Sequence, residues 1–241
     1  MMKLFTTVFL LFCALAGAAG AQIEPLANKF EARIIAEAEA QPDAAKRAQI
    51  LDEALSDERA GAALIFNAAN AAMQNSGPEK AARLYAMALE KMPNFYMARR
   101  NLAYINFEAQ DYKKALEGFA SALALSSADA PKIYAAMGVC HANLKNFSEA
   151  LTCFEQALVF SPSDISLMKN KAKCLSEIGL DYPLKELVLE LLEKDCKDAN
   201  LWRILARLHI KNSELKEAVK SMIRKVMPGI GWMPMRMVQR L

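Results

Sequence analysis

Histidine and cysteine, the residues best suited to metal binding and covalent catalysis, are few in this chain and poorly spaced for either task. The two histidines, His141 and His209, lie far apart. Four of the five cysteines lie beyond residue 100, and their spacing fits no zinc pattern: Cys140, Cys153, Cys174 and Cys196. The sequence contains no HExxH, GxSxG or phosphate-binding Gly-Lys motif. We therefore predict no catalytic residue, no metal site, no cofactor and no enzyme activity.

The same four cysteines allow two interpretations. In an oxidising compartment they could form a disulfide, although four cysteines permit three pairings. Alternatively, they are small apolar residues of the core. We favour the second interpretation, and the sequence does not choose among the pairings.

The N-terminal segment has the layout of a secretory signal peptide. Lys3 provides a positive charge, residues 4–16 form an apolar run, and residues 19–21 (Ala-Gly-Ala) provide a cleavage site of small residues. The apolar run is too short to span a bilayer. We therefore predict cleavage after Ala21, a mature chain that begins at Gln22, and a periplasmic or secreted location.

Composition and residue order argue against a lipid anchor, nucleic-acid binding and a transmembrane anchor. A lipid anchor at Cys13 is disfavoured because bulky Phe12 precedes it. The chain has 30 basic and 27 acidic residues, a balance that argues against a nucleic-acid-binding protein. No segment after the leader is long and apolar enough to predict a transmembrane anchor.

The rest of the chain repeats one pattern of small and large residues. The clearest copy starts at Pro131 and has Gly138, Ala150 and Ala157 at its eighth, twentieth and twenty-seventh positions, with Phe154 at the twenty-fourth. Small residues let two antiparallel helices approach closely, and large residues fill the gaps beside those contacts. The pattern predicts a helical hairpin.

The copies follow one another in nearly constant register. They start at Asn28, Ala62, Tyr96, Pro131, Ile165 and Ala199, at intervals of 34, 34, 35, 34 and 34 residues. This pattern resembles the tetratricopeptide repeat (TPR) family. Both histidines fall at the eleventh position, which is aromatic in that family, so the resemblance implies that they are packed core residues.

The resemblance implies an all-α fold, a right-handed α-solenoid of about six helical hairpins. We expect a signal peptide at 1–21, a degenerate hairpin at 22–61, and TPR hairpins at 62–95, 96–130 and 131–164. A degenerate hairpin at 165–198, a TPR hairpin at 199–227 and a C-terminal segment at 228–241 follow. That last segment is expected to be a capping helix, a partner-binding tail or a loose tail.

The resemblance also implies a binding surface. In this family the second, fifth, ninth, twelfth and thirteenth positions of each repeat typically face a concave groove that binds a protein or peptide. Carried over, the groove residues are Phe66, Asn70, Met73, Met97, Arg100, Tyr104, Phe107, Lys169, Lys173, Arg203, Arg207 and Lys211. The alternative is that the aromatic members, Phe66, Tyr104 and Phe107, are core residues of slightly shifted helices.

The function expected from these features is that of an exported scaffold or adaptor in a cell-envelope-associated assembly. Residues 197–241 hold ten Lys or Arg against three Asp or Glu, which predicts an acidic peptide segment or an anionic surface as the ligand; the alternative is that these charges form a solvated face. Two other functions stay open. One is an assembly factor for outer-membrane or pilus components, and the other, of a different class, is an enzyme accessory subunit or an unrecognised hydrolase.

Overall fold

The computed structural model describes residues 24–214 and 216–220, and these residues are helical with short turns and no strand. The helices are α1 (Lys29–Glu39), α2 (Ala44–Ala54), α3 (Ala62–Asn75), α4 (Pro78–Lys91), α5 (Tyr96–Glu108), α6 (Tyr112–Leu125), α7 (Ala130–Asn143), α8 (Phe147–Phe160), α9 (Ile165–Ile178), α10 (Asp181–Lys194) and α11 (Ala199–Lys211). Residues 216–220 are also helical.

Five of the eleven helices begin where a short polar side chain caps the first turn. Asp43, Asp111, Asp164 and Asp198 each accept a hydrogen bond from a backbone N–H of the helix that follows. Asn28 caps α1 through a reciprocal capping box, because its side chain binds the N–H of Glu31 and Glu31 binds the N–H of Asn28. These caps satisfy N–H groups that no helical carbonyl can reach.

From the third hairpin onward, the turn inside each described hairpin contains one residue with a left-handed backbone. Gly179 has φ of 83°, which glycine adopts without steric cost. At the equivalent turns Gln110, Lys145 and Ser213 have φ between 60° and 63° although each carries a side chain. The N–H groups at these turns bind the last helical carbonyls, so the hydrogen bonds of the turn hold this backbone.

Close contact within each hairpin depends on the small residues that the sequence pattern places there. Ala69, Ala103, Ala115, Ala150 and Ala157 have 0% exposure. Gly138 is buried against Phe154, whose ring is 1% exposed. A Cβ atom added at Gly138 would lie 2.6 Å from the nearest carbon of that ring, so the two helices approach each other this closely because position 138 is glycine.

The described residues fall into two compact units, which divide between Asp129 and Ala130. Unit 1 contains α1 to α6, and its apolar core runs from Ile34 in α1 to Ile105 in α5. Buried Glu31, 3% exposed, joins the first two hairpins of this unit. Its Oε1 accepts hydrogen bonds from the N–H groups of Gly61 and Leu64, both at 3.0 Å.

Unit 2 contains α7 to α11. One apolar cluster joins Ala150 and Phe154 of α8 to Cys174 of α9. A second cluster extends from Met168 in α9 to Leu208 in α11 and includes Leu184, which stands where four other copies have alanine. Larger side chains therefore fill the fifth hairpin, one of the two that were expected to be degenerate.

The predicted fold class is confirmed: the chain is all-α, and its helices form repeated antiparallel hairpins. Among the described residues, no helix is both long enough and apolar enough to traverse a lipid bilayer. The predicted signal peptide at 1–21 and the predicted tail at 228–241 lie outside the described residues.

Candidate functional site

In unit 1, a hydrogen-bonded network connects the second hairpin to α5. The Tyr85 hydroxyl donates to Asn70 Oδ1 at 2.6 Å, and Asn101 Nδ2 donates to the Tyr85 hydroxyl oxygen at 3.1 Å. Arg100 completes the network, since its Nε and Nη2 atoms donate to Asn101 Oδ1 at 3.2 and 3.0 Å. Burial raises the pKa of Tyr85, which keeps the phenol protonated and able to donate. Asn70 and Arg100, two predicted groove residues, therefore hold neighbouring side chains in place.

The charge of Arg100 is also neutralised within the unit. Arg100 forms an ion pair with Asp129 and lies 5.7 Å from the centroid of the Tyr96 ring. The Tyr96 hydroxyl donates to the same Asp129 oxygen at 2.9 Å. The Arg100 side chain is only 19% exposed. It serves the packing of unit 1 more than it offers a free cation to a ligand.

A carboxylate of the chain itself lies at the first turn of α5. Glu24 accepts a hydrogen bond from the backbone of Met97 and is close enough to Arg100 to feel its charge. Burial raises the pKa of Glu24, and these two interactions partly oppose the increase. Met97 itself packs against the core of unit 1.

Beside the network lies a pocket of about 270 Å³. Tyr85 and Asn101 contribute to its wall, and the remaining lining residues are Met73, Pro78, Tyr104, Ile105 and Glu108. The wall is mainly apolar. Among the described residues, no partner is found for the Tyr104 hydroxyl or for the Glu108 carboxylate. The pocket thus combines apolar walls with two polar groups available to a ligand.

Two predicted groove residues, Met73 and Tyr104, line this pocket, and Met73 is 43% exposed. The other lining residues were not among the predicted groove residues. Glu108 could have been predicted from the sequence, because it occupies the thirteenth position of its repeat, a groove position in the family. Tyr85 could not, because its position in the repeat predicts a large residue of the core.

The predicted aromatic groove residues are half-buried, so the groove and core interpretations each describe part of them. Tyr104 packs edge-on against buried Phe119, with ring centroids 4.9 Å apart. The centroid of the Phe107 ring lies 6.5 Å from that of the same Phe119 ring. The centroids of the Phe66 and Phe95 rings are 4.7 Å apart. Each of the three has part of its ring in the core and part open to solvent.

In unit 2, the predicted basic groove residues divide into paired and open cations. Lys169 binds Asp198 at 2.6 Å, and Lys211 forms an ion pair with Asp181. Three further exposed cations form no ion pair with any described residue: Lys173, Arg203 and Arg207. Arg203 and Arg207 lie one turn apart on α11, and Lys173 occupies the position of Arg207 in the preceding repeat. These three side chains, here called the basic surface, are the predicted groove residues of unit 2 whose positive charge is not paired.

The histidines differ from each other. His209 is buried, and its Nδ1 contacts Glu214, which also accepts from Lys185 at 3.1 Å. His141 is only half-buried, and its Nδ1 lacks a hydrogen-bond partner among the described residues. Within the described ranges, no group of three or more His, Cys, Asp or Glu is arranged to hold a metal ion.

The four cysteines of the described residues are free thiols, and three of them are core residues. Cys140, Cys153 and Cys174 are buried, and burial raises the pKa of Cys140 to about 11. Cys196 differs from the favoured interpretation, because it is exposed in the turn before α11. Its carbonyl oxygen accepts a hydrogen bond from Trp202 Nε1 at 2.8 Å, so its backbone rather than its side chain contributes to packing.

Known proteins share this repeat and this fold. Family models described as tetratricopeptide repeats match residues 66–131 and 131–164. A curated relative, tetratricopeptide repeat protein 21B of Xenopus laevis, is 30% identical over 154 residues, which cover 63% of this chain. This chain spans only 11% of the length of that relative.

Two solved structures have the same fold at low sequence identity. YrrB, a TPR protein with an unusual peptide-binding site, superposes with a TM-score of 0.64 at 18% identity, covering 80% of this chain and all of its own. MamA from Desulfovibrio magneticus RS-1 gives a TM-score of 0.58 at 15% identity, covering 72% and 97%. The repeat matches, the curated relative and the helical hairpins all indicate the same family. This chain is therefore a tetratricopeptide repeat protein, with the fold of a protein-interaction scaffold.

Proposed function

We propose that this chain is an exported adaptor that holds a partner protein in a cell-envelope-associated assembly. The observation that carries the proposal is the pocket of unit 1, which two predicted groove residues line. In this proposal a side chain of the partner enters the pocket, and an acidic segment of the partner contacts the basic surface of unit 2.

The pocket suits this role because its walls are preorganised. Tyr85 and Asn101 are fixed by the hydrogen-bonded network, and the Tyr104 ring is fixed by its contact with Phe119. A ligand that enters such a site does not need to order these side chains, so less of its binding free energy is lost. Aromatic anchors of this kind often dominate the free energy of a protein interface.

The basic surface supports a different contribution to binding. Lys173, Arg203 and Arg207 are exposed and have no acidic partner among the described residues, whereas Lys169 and Lys211 are ion-paired. Open charges of one sign attract a complementary partner over several ångströms and raise the association rate. This argument favours a partner with an acidic segment.

Export and peptide recognition rest on other observations. The order of charge, apolar run and small residues before Gln22 favours secretion. The relative described with a peptide-binding site, YrrB, has the same fold, which favours a peptide segment as the ligand here. N-terminal sequencing of the protein from its source cells tests export. A cytoplasmic chain that retains Met1 would contradict it.

Capture of partners from an envelope fraction of the source cells tests the binding role. Tyr104→Ala should weaken capture about 30-fold, since an anchor of this type contributes about 2 kcal/mol. Tyr182→Ala is the matched control, because Tyr182 is 73% exposed on α10 and lies outside both candidate surfaces. Identical partners at identical affinity for wild type and Tyr104→Ala would refute the assignment of the pocket.

The basic surface requires a separate measurement. Charge reversal by Arg203→Glu and Arg207→Glu should slow association with the captured partner, and added salt should shrink that effect. Lys197→Glu, at an exposed cation in the turn before α11, is the control. An association rate that neither reversal nor salt changes would exclude an acidic contact at this surface.

A further inference from the structure

We infer that the pocket of unit 1 receives a lysine or arginine side chain of the partner, an inference that rests on the proposed function. The pocket offers a place for both parts of such a side chain. Its apolar walls contact the aliphatic stem, and its open acidic group binds the cationic head.

The stem contacts the apolar wall. Met73, Ile105 and the Tyr104 ring line the pocket, and together they can cover the three or four methylene groups of arginine or lysine. The volume of about 270 Å³ is enough for one long side chain and too small for a folded element. A single extended side chain of a peptide is therefore the fitting occupant.

The cationic head is selected by negative charge at one end of the pocket. Glu108 is exposed, lines the pocket and forms no ion pair with any described residue. It is also the last residue of α5, so the partial negative charge of the helix C-terminus adds to its own. An uncharged apolar ligand would leave this negative charge without a partner, whereas an ammonium or guanidinium group would neutralise it.

The half-buried Tyr104 side chain, which lines the pocket, favours the same ligand. Aromatic rings attract cations, and guanidinium more often than ammonium. The unpartnered Tyr104 hydroxyl can accept a hydrogen bond from the cationic head. Arg100, whose charge reaches Tyr104, does not oppose this binding strongly, because its ion pair with Asp129 offsets its field.

A pair of small probes tests the inference on the full chain. n-Butylguanidinium and N-butylurea have nearly the same shape, but only the first is charged. Methionine methyl NMR reports binding at Met73, whose signal is assigned by Met73→Leu. We expect n-butylguanidinium to shift the Met73 signal and to bind about fivefold more tightly than N-butylurea, the ratio expected of one partly exposed charge pair.

Variants at Glu108 identify the source of that preference. Glu108→Gln should bind the two probes with equal affinity. In wild type, added salt should weaken the binding of n-butylguanidinium but not that of N-butylurea. Glu90→Gln, at an exposed carboxylate on α4 away from the pocket, should leave the preference unchanged. A circular dichroism spectrum shared by wild type and Glu108→Gln ensures that the fold is retained.

Two results would overturn the inference. Equal binding of the two probes by wild type would mean that the pocket selects an apolar side chain; the adaptor function would then stand. The absence of any Met73 shift with either probe at about 50 mM, where ligands of this size with ordinary efficiency bind, would mean that no side chain enters the pocket. The adaptor function is judged separately, by the capture experiment with Tyr104→Ala.

Discussion

Gly138→Ala tests the tightest contact between helices in unit 2. The added Cβ would lie 2.6, 2.8 and 2.9 Å from three carbons of the Phe154 ring. These separations are far below ordinary contact distance, and the ring is 1% exposed, so it has no open space into which to move. One extra methyl group must therefore displace either the ring or the helix α8 that carries it.

Two opposing effects set the magnitude. Overpacking of a dense core costs about 1–3 kcal/mol, whereas alanine is favoured over glycine inside a helix by about 1 kcal/mol. We therefore expect Gly138→Ala to lower the free energy of unfolding by about 1 kcal/mol net. In a Phe154→Leu background the clash is relieved, and the same change should raise the free energy of unfolding by up to about 1 kcal/mol. The coupling between the two sites is then about 2 kcal/mol.

The assay is urea unfolding of wild type, the two single variants and the double variant, with the m-value compared across all four. A constant m-value allows the midpoints to be read as stability differences. If Gly138→Ala raised the free energy of unfolding equally in both backgrounds, the Phe154 ring would not be what requires glycine. The register assigned to this hairpin would then be wrong.

Three other outcomes are expected. Glu31→Ala should lower the free energy of unfolding in urea by about 2–4 kcal/mol, since it leaves N–H groups at the start of α3 without their acceptor; an unchanged midpoint would refute this role. The hydrogen bond from Lys169 lowers the pKa of Asp198 below its ordinary 3.8, so this pair stabilises the fold above that pH and the stabilisation is lost as pH falls through the lowered pKa. Thermal melts from about pH 6 to about pH 3 measure this loss. The melting temperature of wild type should fall more over this range than that of Asp198→Asn, which keeps a capping side chain but has no carboxyl group to titrate. Under native conditions a maleimide should modify exposed Cys196 before buried Cys140, whose pKa is about 11; peptide mapping that found equal rates would contradict the burial.

Part of the candidate site could be predicted from repeat position alone. Met73 and Tyr104 were named from the twelfth and ninth positions, and both line the pocket. Glu108 follows the same rule at the thirteenth position. Tyr85 and Asn101 could not be found in this way, because their contribution depends on a hydrogen bond between α4 and α5, 16 residues apart in sequence.

The partners of charged side chains were also beyond the sequence pattern. Arg100, Lys169 and Arg203 all occupy the fifth position of a repeat. The first two are each paired with an aspartate 29 residues later, which the structure makes evident. At the same distance after Arg203 the sequence has Trp232 instead of an aspartate. The sequence therefore separates Arg203 from the other two cations only once the structure has shown that an aspartate at this distance is the partner.

The sequence by itself determined the all-α fold, because a hairpin needs small residues where its helices touch and large ones beside them. Those requirements recur every 34 or 35 residues, and each repeat packs mainly on its neighbours, so the information is local. Only the tertiary structure decided which polar groups are used inside the protein and which stay open. Glu31 binds N–H groups 30 and 33 residues away, Arg100 is neutralised and Glu108 is not. Each of these outcomes depends on ångström-scale distances between adjacent hairpins, and a hydrogen bond or an ion pair forms only within about 3–4 Å.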